Sequence, residues 1–124
     1  MSKQLTILAV DDDLINLKLL KSMLMKHEDV VEVLEAKNGA DAIGHIKSRD
    51  DISLILLDII MPVMNGLEML KVVRSDENIR QMPIIVLTTD ETKKSEALEL
   101  GANGFLMKPI RKDDLYAKIA STLV

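Results

Sequence analysis

Short apolar runs alternate with amphipathic segments along the whole chain. The apolar runs predict strands that are buried on both faces, at residues 5–10, 30–36, 54–58, 84–87 and 105–107. Between these runs, apolar residues recur every three or four positions, which is typical of amphipathic helices. The predicted helices cover residues 14 to about 27, a shorter segment after 39, 66 to the loop at 76–78, about 91 to 100, and about 112 onward.

Strict alternation of strands and helices predicts an α/β fold, in which a parallel sheet has helices on both faces. The five strand-helix units are too few for an eight-stranded barrel. Parallel strands end at one edge of the sheet, where open α/β sheets bind ligands. The polar residues that follow strands one, three, four and five should therefore meet at that edge: Asp11, Asp12, Asp13, Asp58, Thr88 and Lys108.

The turn after the third strand contains residues with special backbone preferences. Pro62 biases Met61 toward an extended conformation, and we expect Asn65-Gly66 to supply a positive φ before the next helix begins. Asp58 then lies at the end of the most apolar strand. A carboxylate there is unfavourable unless another group compensates its charge.

Composition narrows the class of protein. The 124 residues fit one domain, residues 1–124. With 20 acidic against 16 basic residues and a net charge of −4, direct nucleic-acid binding is not expected. The absence of cysteine excludes thiolate metal sites, and the two separated histidines, which we expect to be solvated, argue against a zinc site.

No apolar run reaches the roughly 18 residues of a membrane span, so we expect no membrane insertion and a cytoplasmic location.

The residues at the predicted edge favour chemistry on phosphate. Asp13 precedes a helix and is expected to cap it. The helix has no use for Asp11 and Asp12 as caps, so these carboxylates should lie close to that of Asp58. Their mutual repulsion calls for a hard divalent cation, and oxygen ligands with room for phosphate favour Mg²⁺ over Ca²⁺ or Mn²⁺. Lys108 and Thr88 would add an ammonium and a hydroxyl donor that face incoming negative charge.

Four segments, taken together, resemble the receiver domain of two-component response regulators, the CheY-like superfamily. They are residues 10–13, 57–66, 87–89 and 101–109, in that order. The resemblance extends from Leu5 to the end of the chain. It implies a flavodoxin-like, doubly wound three-layer sandwich, in which a five-stranded parallel sheet has the strand order 2-1-3-4-5.

The resemblance also implies a metal site and a phosphoacceptor. Asp58 would accept a phosphoryl group from a phosphohistidine. Mg²⁺ would bind directly to Asp12 and Asp58, through water to Asp11, and to the backbone carbonyl of Ile60, with Mn²⁺ as a substitute. The domain would catalyse only its own phosphorylation and autodephosphorylation, so it would act in signalling rather than as a turnover enzyme.

Further roles follow from the same resemblance. Thr88 and Lys108 would contact phosphoryl oxygens, and the Lys108-Pro109 peptide bond would be cis. Phe105 would turn inward when Thr88 moves, which would change the surface of the fourth helix, fifth strand and fifth helix. The implied partners are a sensor histidine kinase or phosphotransfer protein, a downstream effector domain or protein, and a second copy of the chain in a phosphorylation-dependent homodimer.

Two features depart from the usual family pattern. Thr89 is β-branched where small residues are common, so we expect narrower access to the acyl phosphate. The stretch from Thr88 to Lys108 is slightly shorter than usual, which removes part of a turn from the loop or the fourth helix.

Two other classes of protein share part of this pattern. Haloacid-dehalogenase-like phosphatases also use an aspartate after the first strand, and Asp11 with Asp13 could mimic their motif. That interpretation leaves Asp58 without a role, and the chain lacks the acidic pair that such phosphatases have after a fourth strand. Steady turnover of p-nitrophenyl phosphate is expected of a phosphatase and not of a receiver domain. The other alternative is a non-catalytic flavodoxin-like binding module, but the sequence has no glycine-rich phosphate-binding loop.

Overall fold

Strands and helices alternate through residues 4–61 and 63–123, which the computed structural model describes. The strands are β1 (Leu5–Val10), β2 (Val30–Ala36), β3 (Leu54–Asp58), β4 (Ile84–Thr88) and β5 (Gly104–Met107). The helices are α1 (Leu14–Met25), α2 (Gly39–Ser48), α3 (Gly66–Ser75), α4 (Lys94–Glu99) and α5 (Lys112–Thr122). None of the helices within the described ranges combines the length and hydropathy that crossing a bilayer requires.

The sheet has the order β2-β1-β3-β4-β5, and every neighbouring pair of strands is parallel. This confirms the predicted α/β fold and strand order. In the register of the sheet, Val10 lies opposite Leu57, and Thr88 lies opposite Met107. The residues that end β1, β3, β4 and β5 therefore lie along one edge.

Aliphatic side chains on both faces of the sheet form the core. Every described residue of β1, β3 and β4 is buried. One face packs against α2, α3 and α4, and the other face packs against α1 and α5. The three central strands are therefore fixed on both sides, which gives the side chains at their carboxyl ends well-defined positions.

Two predicted helices have different bounds. The first ends at Met25 rather than near residue 27, because the amide groups of Lys26 and His27 bond to carbonyls three residues back and tighten the last turn. The predicted 91–100 helix is split into a 3-10 turn at Glu91–Lys93 and the short α4. The Asp90 side chain accepts a hydrogen bond from the Thr92 amide, which starts the 3-10 turn.

The prediction that His27 is solvated was also wrong. Its ring is half-buried and packs edge-on against Tyr116, with 4.6 Å between the ring centroids. Its Nδ1 accepts a hydrogen bond from the amide of Asp29, which closes the turn from α1 into β2.

The expected source of positive φ after β3 was wrong as well. Val63 has a φ of 67°, whereas Asn65 has a φ of −75° and caps α3 in a reciprocal pair of hydrogen bonds with Glu68. Gly66 is needed for another reason. A Cβ at this position would overlap the backbone carbonyl of Asp58 and come within 2.8 Å of the Ile59 Cα, so glycine lets α3 begin directly against the end of β3.

Candidate functional site

The site is built around two aspartates at the ends of neighbouring strands. Asp58 is the last residue of β3, and Asp11 directly follows β1. The amide of Asp11 donates a 3.0 Å hydrogen bond to the carbonyl of Ala36, which extends the β1–β2 pairing by one residue. Both aspartates are buried, with exposed fractions of 1% for Asp11 and 7% for Asp58. Two carboxylates are therefore held close together with little access to water.

Lys108 connects these two carboxylates. Its Nζ donates to Oδ2 of Asp11 at 3.0 Å and to Oδ1 of Asp58 at 3.1 Å. The residue directly follows β5, and its amide donates a 2.8 Å hydrogen bond to the carbonyl of Thr88. The peptide bond from Lys108 to Pro109 is cis. The ammonium thus reaches over β4 to the ends of β1 and β3.

A third carboxylate completes the acidic cluster. Ligand oxygens of Asp11, Asp12 and Asp58 all lie within 4.8 Å of one another, and Asp12 is the exposed member. Asp13 does not join them, since its Oδ1 accepts the amide of Ile15 at 2.8 Å and caps α1. The cluster therefore has two buried acids and one acid open to solvent.

Burial and charge oppose each other at Asp58. Burial raises the pKa of its carboxyl group, and the neighbouring charge of Asp11 raises it further. The charge and hydrogen bond of Lys108 act in the opposite direction but only partly compensate. For Lys108, burial lowers the pKa, but the hydrogen bond to Asp11 and the charge of Asp58 outweigh burial, so its pKa is raised. Lys108 therefore carries a positive charge at neutral pH, and this single charge does not neutralise the three carboxylates.

The donor set fits a hard divalent cation. Three carboxylates face one ammonium, which leaves excess negative charge in a partly buried place. All candidate ligand atoms are oxygens, and oxygen sites of this kind bind Mg²⁺, Ca²⁺ or Mn²⁺. The exposed position of Asp12 leaves one side of the cluster open to solvent and to a ligand.

Thr88 and Phe105 occupy different parts of this end of the sheet. Thr88 ends β4 with an exposed fraction of 1%, and its Oγ1 accepts a 3.1 Å hydrogen bond from the amide of Asp90. It lies one residue beyond Leu87, the register partner of Asp58. Phe105 is half-buried in β5 and packs against the core on the face of the sheet that α2, α3 and α4 cover. Thr88 therefore lies at the same edge of the sheet as the acidic cluster, whereas Phe105 belongs to the hydrophobic core.

Helix α1 carries exposed apolar residues that the periodicity of the sequence did not predict. Leu14, Ile15 and Leu19 are all exposed, although the predicted buried stripe of this helix consists of other leucines. Leu19 lines a cavity next to Lys108. The sequence does show that these apolar residues lie outside the buried stripe of α1, at positions where a surface helix usually has polar residues.

The order of the strands and the acidic cluster at their carboxyl edge define a doubly wound α/β domain with a carboxylate site at one edge of its sheet, rather than a barrel. The chain belongs to the response regulator receiver domain family, whose family model matches residues 7–120. Two-component signalling is therefore the process in which this domain takes part.

Individual relatives agree with this assignment. The chain is 35% identical over 121 residues to a chemotaxis protein CheY homolog of Campylobacter jejuni, covering 94% of this chain and 91% of that protein. It is 42% identical over 110 residues to the hybrid signal transduction histidine kinase M of Dictyostelium discoideum, covering 84% of this chain and 4% of that protein. The solved structure of the chemotaxis response regulator CheY4 of Vibrio cholerae matches with a TM-score of 0.87 at 31% identity, covering 98% of this chain and 100% of that one.

Proposed function

We propose that this chain is a single receiver domain, residues 1–124, that accepts a phosphoryl group on Asp58 in a His-Asp phosphorelay. The observation that carries the proposal is the contact of the Lys108 ammonium with both Asp11 and Asp58 beside the exposed Asp12. This arrangement supplies a carboxylate nucleophile, a positive charge and a set of metal ligands within one small region.

The covalent step exchanges one bond for another. A carboxylate oxygen of Asp58 forms a bond to phosphorus, while the bond from phosphorus to the donor histidine nitrogen breaks and that nitrogen keeps the electron pair. Lys108 contacts one phosphoryl oxygen and Thr88 contacts another, so both groups stabilise negative charge during transfer. Water later attacks phosphorus, the bond from phosphorus to the Asp58 oxygen breaks, and inorganic phosphate leaves while the Asp58 carboxylate is restored. The domain would therefore act on its own phosphoryl group only, as a signalling phosphoacceptor.

Mg²⁺ is the proposed metal, with Mn²⁺ as a substitute. Asp12 and Asp58 would bind it directly, Asp11 would bind it through water, and the backbone carbonyl of Ile60 would complete the protein ligands. The side chain of Ile60 is a hydrocarbon without a donor atom, so only its backbone carbonyl could serve as a ligand. The bound ion supplies charge neutralisation to the carboxylate cluster and to the incoming phosphoryl group.

The proposed output is a change of the α4-β5-α5 surface. Thr88 would leave its hydrogen bond with Asp90 to contact the phosphoryl group, and Phe105 would move into the space made available below α4. The phosphodonor would be a sensor histidine kinase or a phosphotransfer protein in the cytoplasm. The altered surface would bind a downstream effector domain or protein, or a second phosphorylated copy of this chain.

Phosphorylation by a small donor tests the proposal. The protein is incubated with acetyl phosphate and Mg²⁺, and the mass of the intact protein is measured. We expect a gain of one phosphoryl group that EDTA prevents and that Asp58→Asn abolishes. Asp90→Asn is the matched control, because it removes another carboxylate just beyond the end of a strand and should leave phosphorylation in place. Phosphorylation of Asp58→Asn to the wild-type extent would contradict the proposal.

A further inference from the structure

A cavity of about 940 Å³ opens at the edge of the sheet opposite the acidic cluster. Its walls are residues 46–50 and 52 on one side and residues 76, 78, 79 and 81–83 on the other. We call it the amino-edge pocket, because it lies where β3 and β4 begin and where α2 and α3 end. Ligand pockets in proteins have volumes of roughly 300–1,000 Å³, so this cavity is large enough for a small organic molecule.

The deeper part of the pocket is aliphatic. Ile46 and Ile52 are buried, and Ile79 and Met82 are half-buried against the core on one face of the sheet. An aliphatic chain that enters the pocket leaves water for these side chains, and each buried methylene favours binding. The pocket therefore suits a ligand with a hydrocarbon part.

Negative charge collects at the rim of the pocket. The C-terminal end of a helix carries a partial negative charge, and both α2 and α3 end here. Asp76 is the C-cap of α3, and Asp50 follows the C-cap of α2, so each helix end has a carboxylate beside it. An acid at a helix C-terminus is unfavourable by itself. A cation bound at this rim would be stabilised by the carboxylates and by the helix ends.

The cations in the wall leave much of this charge uncompensated. Arg49 is held by two other carboxylates, since it donates to Glu32 at 2.7 and 3.1 Å and to Asp51 at 2.6 and 2.9 Å. Lys47 is 59% exposed, and its Nζ lies 3.7 Å from Oδ2 of Asp76, which is too long for a hydrogen bond. An incoming ammonium can therefore approach this oxygen.

The Asp76 carboxylate is also held in place. Its Oδ1 accepts a 2.9 Å hydrogen bond from the amide of Asn78, so Oδ2 is the oxygen left for a ligand. Across residues 4–61 and 63–123, the acidic cluster at the other edge is the one group of three acids close enough to share a metal ion. An organic cation with an apolar part therefore fits the amino-edge pocket better than a metal ion does.

We propose that the amino-edge pocket binds a small aliphatic amine, with its ammonium group at Oδ2 of Asp76 and its hydrocarbon chain against Ile46 and Ile79. The pocket has no wall residue in common with the site of Asp58 and Lys108. The inference therefore goes beyond the proposed function and does not depend on it.

The experiment compares three probes with the same five-carbon chain: pentylammonium, pentanol and pentanoate. Each is titrated into the complete protein at neutral pH, and the amide chemical shifts in ¹H–¹⁵N spectra give the dissociation constant and the location of binding. We expect saturable shifts at residues 46–50 and 76–82. Pentylammonium should bind about fivefold more tightly than pentanol, because Asp76 and the helix ends attract its charge. Pentanoate should bind more weakly than pentanol.

Three variants test the contacts. In Asp76→Asn the side chain keeps an oxygen for the Asn78 amide but loses its charge, so the preference for the amine over the alcohol should largely disappear. Glu77→Gln is the matched control, because it removes the neighbouring exposed carboxylate, which is not part of the wall, and should keep the preference. Ile79→Ala should weaken the binding of amine and alcohol alike, by about threefold.

Several results would overturn the proposal. One is equal affinity for the amine, the alcohol and the carboxylate, and another is the same preference in Asp76→Asn as in Glu77→Gln. Shifts confined to the surroundings of residues 11, 12 and 58 would also overturn it, because the amine would then be bound by the acidic cluster. So would the absence of saturable shifts with pentylammonium. Phosphorylation of Asp58 is measured separately and does not change with any of these outcomes.

Discussion

Lys108 and Asp58 are 50 positions apart in the sequence and are joined by a 3.1 Å hydrogen bond from Nζ to Oδ1. The contact spans β4, which lies between the strands that the two residues follow or end. Because both side chains are largely buried, the bond holds a positive and a negative charge together where water cannot replace either partner. The pair is therefore a buried contact whose energetic weight can be measured by substitution.

Replacing Lys108 with methionine should therefore destabilise the protein. The change leaves the buried carboxylates of Asp11 and Asp58 without their shared cation, and we expect the free energy of unfolding to fall by about 3 kcal/mol in metal-free buffer. Urea unfolding in EDTA measures this loss. Lys71→Met is the control, because Lys71 is exposed on α3 and its replacement should change stability little. Equal losses in the two variants would show that the Lys108 contacts are energetically unimportant.

The raised pKa of Asp58 gives a prediction for pH. Burial, followed by the charge of Asp11, raises this pKa, so on acidification the folded protein takes up a proton at a higher pH than the unfolded chain does. Ionisation of Asp58 therefore opposes folding above the folded-state pKa, and this penalty disappears as the pH falls through that pKa. In EDTA, the wild type should gain stability relative to Asp58→Asn as the pH decreases from about 7 to about 4. Urea unfolding measures this difference. If the wild type instead lost stability relative to Asp58→Asn over this range, the pKa of Asp58 would not be raised in the folded protein.

Gly66 should tolerate no larger residue. In Gly66→Ala the added Cβ would overlap the Asp58 carbonyl and push the start of α3 away from β3. We expect a loss of about 1–3 kcal/mol in the free energy of unfolding, together with slower phosphorylation by acetyl phosphate. Gly44→Ala is a matched control within α2, since among the described residues nothing beyond the adjacent residues and the helix's own backbone lies within 4 Å of a Cβ at that position. It should be neutral or stabilise by up to about 1 kcal/mol.

Val63 has a backbone conformation that does not suit a β-branched residue. Its φ is 67° and its side chain is 82% exposed, so packing contributes little to offset the strain. Val63→Asn should raise the free energy of unfolding by about 1 kcal/mol, because asparagine adopts this conformation more readily. Val31→Asn, at an exposed position of the extended strand β2, should bring no such gain. Thermal and urea unfolding of both variants would detect the difference.

The sequence predicted the fold well because the pattern of apolar residues is simple. The central strands are continuous aliphatic runs, and alternation with helices leaves a parallel sheet as the expected arrangement. The meeting of Asp11, Asp58 and Lys108 follows from that arrangement, since parallel strands end at one edge. The order of the strands came from the resemblance to receiver domains, because periodicity alone does not order strands within a sheet.

Features that depend on tertiary contacts could not be predicted in the same way. Asn65-Gly66 is a common signal for positive φ, yet here Asn65 caps α3 and Gly66 allows a close backbone approach, so the strain falls on Val63. His27 resembled a solvated helix residue, but it packs against Tyr116 of α5, which is distant in the sequence. The cavity beside Lys108 likewise lies between α1 and the loop that leads from β5 to α5, which are far apart in the sequence.

The most direct test of the central claim identifies the residue that carries the phosphoryl group. The protein is phosphorylated with acetyl phosphate and Mg²⁺ and then treated with borohydride, which reduces an aspartyl phosphate to homoserine. Peptide mass spectrometry locates the modified position. The account predicts homoserine at position 58, and none when Mg²⁺ is withheld. Homoserine at position 11, 12 or 90 instead would contradict the account. So would the absence of homoserine from a protein whose intact mass shows that it was fully phosphorylated before reduction.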